Sequence, residues 1–295
     1  MSTAVIHALP LPRPPEVEAA TGPEIIADRY VVAGTIATGG MGEVLLARDP
    51  VLGRRVAIKR CRPWLPARAR ARLRTEARLG ARLNHRAVAQ IYDLVTTPTG
   101  DALVMEHVLG PSLQTLHGLG IVRRGGALRI ALEIASGLSC IHDHQIVHLD
   151  LKLENVLVAA DGQPKIIDFG IARCASDPID DVDPEITGEH AIEGTPRVMS
   201  PEQIDGRDVD ARSDLFSFGV LLYELLSGTT PFGTTCQTQT LTRVLTLRPP
   251  SLRDLDPRID DPLSDLVDQL LEKEPGLRPQ SAAEVLIRLR DLAEH

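Results

Sequence analysis

The sequence predicts an α+β protein of two unequal lobes: an N-terminal antiparallel β-sheet with one helix, then a larger, mainly α-helical part. Three observations carry that prediction. Short apolar runs of strand length, parted by glycine-rich and charged turns, crowd between Tyr30 and Val108. After Gly110 the pattern changes to longer apolar segments with a period near 3.6 residues. The length, 295 residues, suffices for one large domain or two small lobes with a sizeable core.

Taken in order, residues 1–29 read as an extended, solvated tail with prolines at 10, 12, 14 and 15, a ligand for an SH3-like domain being the alternative. The tail lacks a basic start and a long apolar run, so no signal peptide is expected. YVVAGTI, EVLLARD and RRVAIKR follow as strands, and Gly39, Gly40 and Gly42 punctuate the first pair as in a hairpin. Residues 67–83, ARARARLRTEARLGARL, favour a helix with Arg68, Arg72 and Glu76 one turn apart. IYDLV and ALVMEHV read as two more strands, and 106–110 as a hinge. Leu128–His142 is an amphipathic helix. Ser213–Ser227 is apolar almost all round, hence a buried helix, with Ser213 or Asp214 expected to cap it. Helices over Leu263–Leu271 and Ala282–Leu292 close the chain. The expected domain spans 30–293, with lobes at about 30–106 and 111–293 and a ligand cleft between them.

Composition narrows the function classes. A formal net charge of −8 argues against a general binder of nucleic acid or anionic membrane. The most apolar run, Phe218–Leu226, is short and contains Glu224, so no segment is expected to enter a bilayer. Cys61, Cys140, Cys174 and Cys236 lie far apart without metal or redox spacing, which reads as reduced thiols of a cytoplasmic protein.

Three constellations carry chemistry. In TIATGGMGEV (Thr35–Val44), glycines let backbone N–H groups approach a phosphate, although glycine-rich hairpins are common without one. VAIK (Val56–Lys59) sets an ammonium among apolar strand residues, where it needs an anion: a phosphate, or a carboxylate such as Glu76. In IVHLDLKLENVLV (Ile146–Val158), Asp150, Lys152 and Asn155 sit between two apolar ends, and Asp168-Phe169-Gly170 follows closely. Two carboxylates and an amide make an oxygen-rich set that suits Mg²⁺ with substrate phosphates. One aspartate remains to orient a hydroxyl nucleophile, and the lysine can neutralise charge on a transferring phosphoryl group.

In this order and spacing, from about Tyr30 to Leu292, the chain resembles the eukaryotic-like (Hanks-type) bacterial Ser/Thr protein kinases. The landmarks are GGMGEV, VAIK, Glu76 in RTEARL, MEHV, HLDLKLEN, DFG, GTPRVMSPE, SDLFSFG and Arg278 in LRPQSAAEVL. The resemblance implies the two-lobed protein-kinase fold and transfer of the ATP γ-phosphoryl group to Ser/Thr hydroxyls of proteins, with autophosphorylation. It implies that Ile36, Ala37, Gly39, Gly40, Met41, Gly42, Val44 and Ala57 cover the nucleotide, with Leu157 beneath. Met105 would be the gatekeeper, and Glu106 and Val108 the hinge partners of adenine. Lys59 would hold the α- and β-phosphates and pair with Glu76. Asn155 and Asp168 would hold Mg²⁺, or Mn²⁺ in its place. Asp150 would accept the hydroxyl proton, with Lys152 and Thr195 beside it. Glu202 and Arg278 match a buried ion pair, Asp214 matches a brace for the catalytic loop, and Ile171 suggests threonine acceptors. The alternative is a pseudokinase or scaffold that binds nucleotide or partners without efficient catalysis. A small-molecule phosphotransferase is disfavoured by DLKLEN together with GTPRVMSPE.

The sequence also departs from that pattern. Leu149 stands where many such kinases carry an arginine that meets a phosphate on the activation loop, so that clamp is not expected. Leu153 replaces a common proline. Ala37 replaces a usual glycine, which is tolerable where φ is negative. Gly80 replaces a leucine that stacks toward Phe169. Leu79 is expected to move into the gap; failing that, an activating partner or a second copy of the chain would seat the Glu76 helix. Residues 177–193 are acidic and 54–86 rich in arginine, giving either two solvated faces or a docked pair. Ser176 and Thr187 are candidate autophosphorylation sites.

Overall fold

A computed structural model describes residues 24–294 except 40–41, 63, 66, 123, 171 and 175–193; of residues 67–70 and 124 it describes the backbone. The first sheet grows from alternation. In β3 (Gly42–Asp49) and β4 (Arg54–Cys61), Leu45, Ala47, Val56 and Ile58 face one side and are buried. They pack with Ile26 of β1 (Ile25–Ile26), Tyr30 of β2 (Tyr30–Thr38), and Ala102 and Val104 of β6 (Gly100–Glu106). With β5 (Ile91–Thr97) the strand order is β1-β2-β3-β4-β6-β5, every neighbouring pair antiparallel. Register shifts at Val32/Gly34 and Thr35/Ala37 bend β2, as bulges do. Ile25 and Ile26, read from sequence as tail, pair with Val31 and Tyr30; residues 1–23 of that tail lie outside the described residues.

Lys59, one residue beyond Ile58, points to the opposite face of β4. On that side lies α1 (Ala67–Gly80), which buries Leu73 and Ala77 against Leu103. The helix stops short of Leu83 because the Arg82 and Leu83 N–H groups reach back only three residues, to Leu79 and Gly80.

The second part is built on α3 (Arg124–Asp143) and α5 (Ala211–Ser227). Every residue of α5 from Ser213 to Leu225 is buried, as an all-round apolar helix requires. Its N-cap is Asp210, whose side chain accepts the Arg212 N–H; the expected caps, Ser213 and Asp214, bond to other segments instead. Asp261–Leu270 forms α8, which packs on α5, and Ala282–Glu294 forms α9, which packs on α3. Two small antiparallel two-stranded sheets frame the expected catalytic loop. One joins β7 (Ile146–Val147) to β10 (Arg173–Cys174), the other β8 (Val156–Val158) to β9 (Pro164–Ile166).

Four short helices were not expected: α2 (Leu113–Gly118), α4 (Pro201–Ile204), α6 (Gln237–Thr246) and α7 (Leu252–Leu255). In α6, QTQTLTRVLT, Thr240 and Val244 are the buried residues, so no apolar stripe betrays it. Leu79 and Leu83 join Phe169, Ile134 and Leu138 in the large lower core, so the two parts share an apolar seam. Among the described residues no helix is long and apolar enough to cross a membrane.

Candidate active site

Three charges meet where the sheet faces the lower part. Lys59 Nζ lies 2.8 Å from Glu76 Oε2 and 2.8 Å from Asp168 Oδ1. The Glu76 side chain is 3% exposed. Burial pushes its carboxyl up to about 7 against the pull of Lys59, with the Asp168 charge adding to the rise. Burial opposes ionisation of Asp168 too, but Lys59 and the Gly170 N–H outweigh it and hold that carboxyl below its ordinary range. Burial would lower Lys59; the two carboxylates more than offset it and raise the ammonium. One ammonium between two acids thus keeps the more open acid charged and leaves the buried one easiest to protonate.

The seat of α1 answers the question raised by Gly80. A Cβ on Gly80 would lie 2.6 Å from Ile91 Cγ1 and 3.8 Å from Phe169 Cδ2. The space is filled by Ile91 of β5, not by Leu79, which points into the lower core. A second tie comes from Arg74, whose Nε donates to the buried Asp101 carboxylate of β6 at 2.6 Å; Thr96 Oγ1 donates to the same group. Sequence patterns reveal neither contact. The acidic stretch 177–193, Ser176, Thr187, Ile171 and the Arg68 side chain lie outside the described residues.

The loop between β7 and β8 holds Asp150 from every side. Lys152 Nζ donates to Asp150 Oδ2 at 2.6 Å, Asn155 Nδ2 donates to Oδ2 at 3.0 Å and to the Asp150 carbonyl at 2.9 Å, and the Thr195 N–H donates to Oδ1 at 3.2 Å. Lys152 Nζ also donates to Thr195 Oγ1. Leu153–Asn155 makes a 3₁₀ turn with Leu153 fully in the core, which is how leucine serves in place of proline.

The backbone before Asp150 is strained, with Leu149 at φ +65°. Asp214, in the first turn of α5, pays for that strain: it accepts the His148 and Leu149 N–H groups, both at 2.8 Å, and bonds His142 Nε2 at 2.9 Å. Gln203 adds a bond from its Nε2 to the Leu149 carbonyl at 3.2 Å, a residue no motif had marked. The Leu149 side chain is buried at 4% exposure, so position 149 offers packing where a guanidinium would offer charge.

These groups line one cleft of about 480 Å³. Its walls include Ala37, Gly39, Gly42 and Val44 above, and Lys59, Glu76, Asp150, Lys152, Asp168 and Thr195 within. Gly40 and Met41 lie outside the described residues. Gly42 owes its size to the sheet, since a Cβ there would meet the Arg60 carbonyl oxygen at 2.0 Å; a Cβ on Gly39 would meet nothing, so packing does not explain that glycine. Ala37 sits in β2 and is not among the residues at positive φ, so alanine is tolerated. Of the residues expected around adenine, Val44 lines this cleft, and Ile36, Ala57, Met105, Glu106, Val108 and Leu157 are not among its walls. Ala57 pairs with Met105 across β4 and β6, Val108 is buried just past β6, Ile36 is 48% exposed, and Leu157 lies opposite Lys165. The Glu106 side chain forms an ion pair with Lys165 at 3.0 Å, tying the hinge to β9.

The donor set suits a hard cation. Asn155 spends its amide N–H groups on Asp150, leaving Oδ1 without a donor among the described residues. Asp168 adds a carboxylate that is 43% exposed. Among the described residues no three His, Cys, Asp or Glu side chains converge as a cage, so a metal held here needs further oxygens from water or phosphate, the usual Mg²⁺ arrangement.

A family model described as "Protein kinase domain" matches residues 30–288. Over 268 residues the chain is 39% identical to "Serine/threonine-protein kinase pkn2" of Myxococcus xanthus, covering 88% of this chain and 32% of that protein. It is 38% identical over 284 residues to "Serine/threonine-protein kinase PknB" of Mycolicibacterium smegmatis, covering 92% and 44%. To the protein of the same name from Mycobacterium tuberculosis it is 38% identical over 277 residues, covering 90% and 43%. The chain therefore spans from about a third to less than half of the length of these relatives.

Proposed function

The chain belongs to the protein kinase domain family, and from that premise we propose that it is a serine/threonine protein kinase that transfers the ATP γ-phosphoryl group to protein hydroxyls, its own included. The observation that carries this reading is the single cleft in which the Lys59–Glu76–Asp168 cluster faces the Asp150–Lys152–Thr195 cluster. Protein kinases use ATP and a divalent metal. The finer assignment, Mg²⁺ held by Asn155 and Asp168, rests on their oxygen donors. When bound, such an ion neutralises charge between phosphate oxygens.

The other roles follow from what each side chain can do. Lys59, held by Glu76, presents a fixed positive charge to phosphate oxygens. Asp150 keeps its carboxylate in the cleft through three donors: Lys152 and Asn155 take up Oδ2, and Oδ1, which accepts the Thr195 N–H, retains a lone pair for a hydroxyl proton. Lys152 stands beside it, where charge develops on a transferring group. Catalysis in such a site is mostly positioning and electrostatics. A pseudokinase is disfavoured because none of these groups is replaced. A cytoplasmic setting, with ATP at hand, fits the free thiols of Cys61, Cys140, Cys174 and Cys236. The acceptor is a protein Ser or Thr, and within the chain α1 is seated against Ile91 and by the bond from Arg74 to Asp101.

The test is autophosphorylation with γ-labelled ATP and Mg²⁺, wild type beside Asp150→Asn. Loss of the general base should slow label incorporation by about 10²–10⁴-fold. Equal label in both would remove Asp150 from the chemistry. No label in either, with nucleotide binding retained, would return the weight to a pseudokinase.

A further inference from the structure

The two segments that flank Asp150 also wall a second cavity. It measures about 300 Å³, and its lining includes Gln114, Leu153, Glu154, Arg197, Glu224 and Thr230. Leu153 and Glu154 directly follow Lys152, and Arg197 lies two residues beyond Thr195. A peptide whose hydroxyl reaches Asp150 carries a neighbouring side chain past this cavity, since an extended chain advances about 3.3 Å per residue.

The cavity is acidic, and the chain itself supplies its cation. Arg197 Nη2 donates to Glu154 Oε1 at 2.6 Å and Oε2 at 2.8 Å, and Arg197 Nε lies 3.5 Å from Glu224 Oε1. Glu224 sits on the buried helix α5 with its side chain 7% exposed. Burial drives its carboxyl up, and Arg197 is the first group that opposes the rise. Two carboxylates facing one cavity are what a substrate arginine or lysine would seek. Here their charge is answered before any substrate arrives. An incoming guanidinium would have to expel Arg197 or stand beside it, and like charges so placed are penalised.

We propose that Arg197 is a specificity-determining residue: by filling the Glu154–Glu224 cavity from within the chain, it denies that cavity to a basic side chain of the acceptor peptide. The enzyme then takes acceptors that carry no arginine or lysine at the position facing this cavity. The inference rests on the kinase reading, because it uses Asp150 to locate the acceptor hydroxyl.

The test walks a single arginine through a set of labelled Ser/Thr peptides, against an all-alanine background. Binding is measured by fluorescence anisotropy, and phosphorylation by initial rates. Wild type should gain nothing from arginine at any position near the acceptor. Arg197→Ala should gain about 10-fold in binding for arginine at one position, and adding Glu154→Gln should erase that gain. Arg197→Gln, which keeps a polar side chain, should show the same gain and serves if the alanine variant melts early. Wild type that already favours arginine at that position overturns the proposal. So do folded Arg197 variants that gain nothing. Absence of phosphoryl transfer to every peptide counts against the kinase reading, while the binding measurements still decide the role of Arg197.

Discussion

Glu76 is the residue whose charge the fold strains most. Its folded pKa of about 7 lies above the ordinary 4.5, so between those values the folded chain holds a proton that the unfolded chain releases. The contribution to stability is full below about pH 4.5 and is lost as pH rises to about 7. Unfolding by urea at pH 5 and pH 8 should show wild type losing ground to Glu76→Gln as pH increases; a constant difference would mean that Lys59 holds Glu76 ionised throughout. The residues of this cluster were legible in sequence because each sits in a short local motif. Arg197, Gln203 and Asp101 were not, because their roles come from partners 27 to 54 positions away: Glu154, Leu149 and Arg74.

At the scale of elements, α1 is the part on which the cleft depends. It is seated by an interlock: Gly80 lacks a side chain where β5 supplies Ile91. Gly80→Ala should overpack that contact and cost about 1–3 kcal/mol, less what alanine contributes to the helix. Combined with Ile91→Ala, the costs should fail to add by about 1 kcal/mol in a double-mutant cycle followed by urea unfolding. Additive costs would mean that the two positions do not share the space. The helix itself was readable from its propensity and from the arginine and glutamate spacing. What braces it was not, since a glycine in sequence does not say which neighbour occupies its place. The cap of α5 illustrates the same limit. Ser213 and Asp214 have the right chemistry for a cap, but Glu202 and the catalytic loop claim them, and Asp210 caps instead.

Across the whole molecule, the buried pair of Arg278 and Glu202 joins segments 76 residues apart with side chains 0% and 2% exposed. Ser213 Oγ and the Arg212, Glu272 and Lys273 carbonyls complete its hydrogen bonds. Arg278→Leu leaves Glu202 buried and unpaired, and should lower unfolding free energy by roughly 3–5 kcal/mol, read from thermal or denaturant melts. A loss under about 1 kcal/mol would show that Glu202 finds water or a proton instead. The division into a sheet part and a helical part was legible because strand and helix periods are local signals. The seam between them was not, since Leu79, Leu83 and Phe169 meet through the fold rather than through the chain. The bonds from Asp214 to the His148 and Leu149 amides carry a further consequence. They anchor the left-handed step before Asp150 to the first turn of the most buried helix in the protein. Heat that leaves α5 standing leaves the catalytic loop set, and heat that melts α5 lets the loop go at once. The catalytic loop has no melting point of its own.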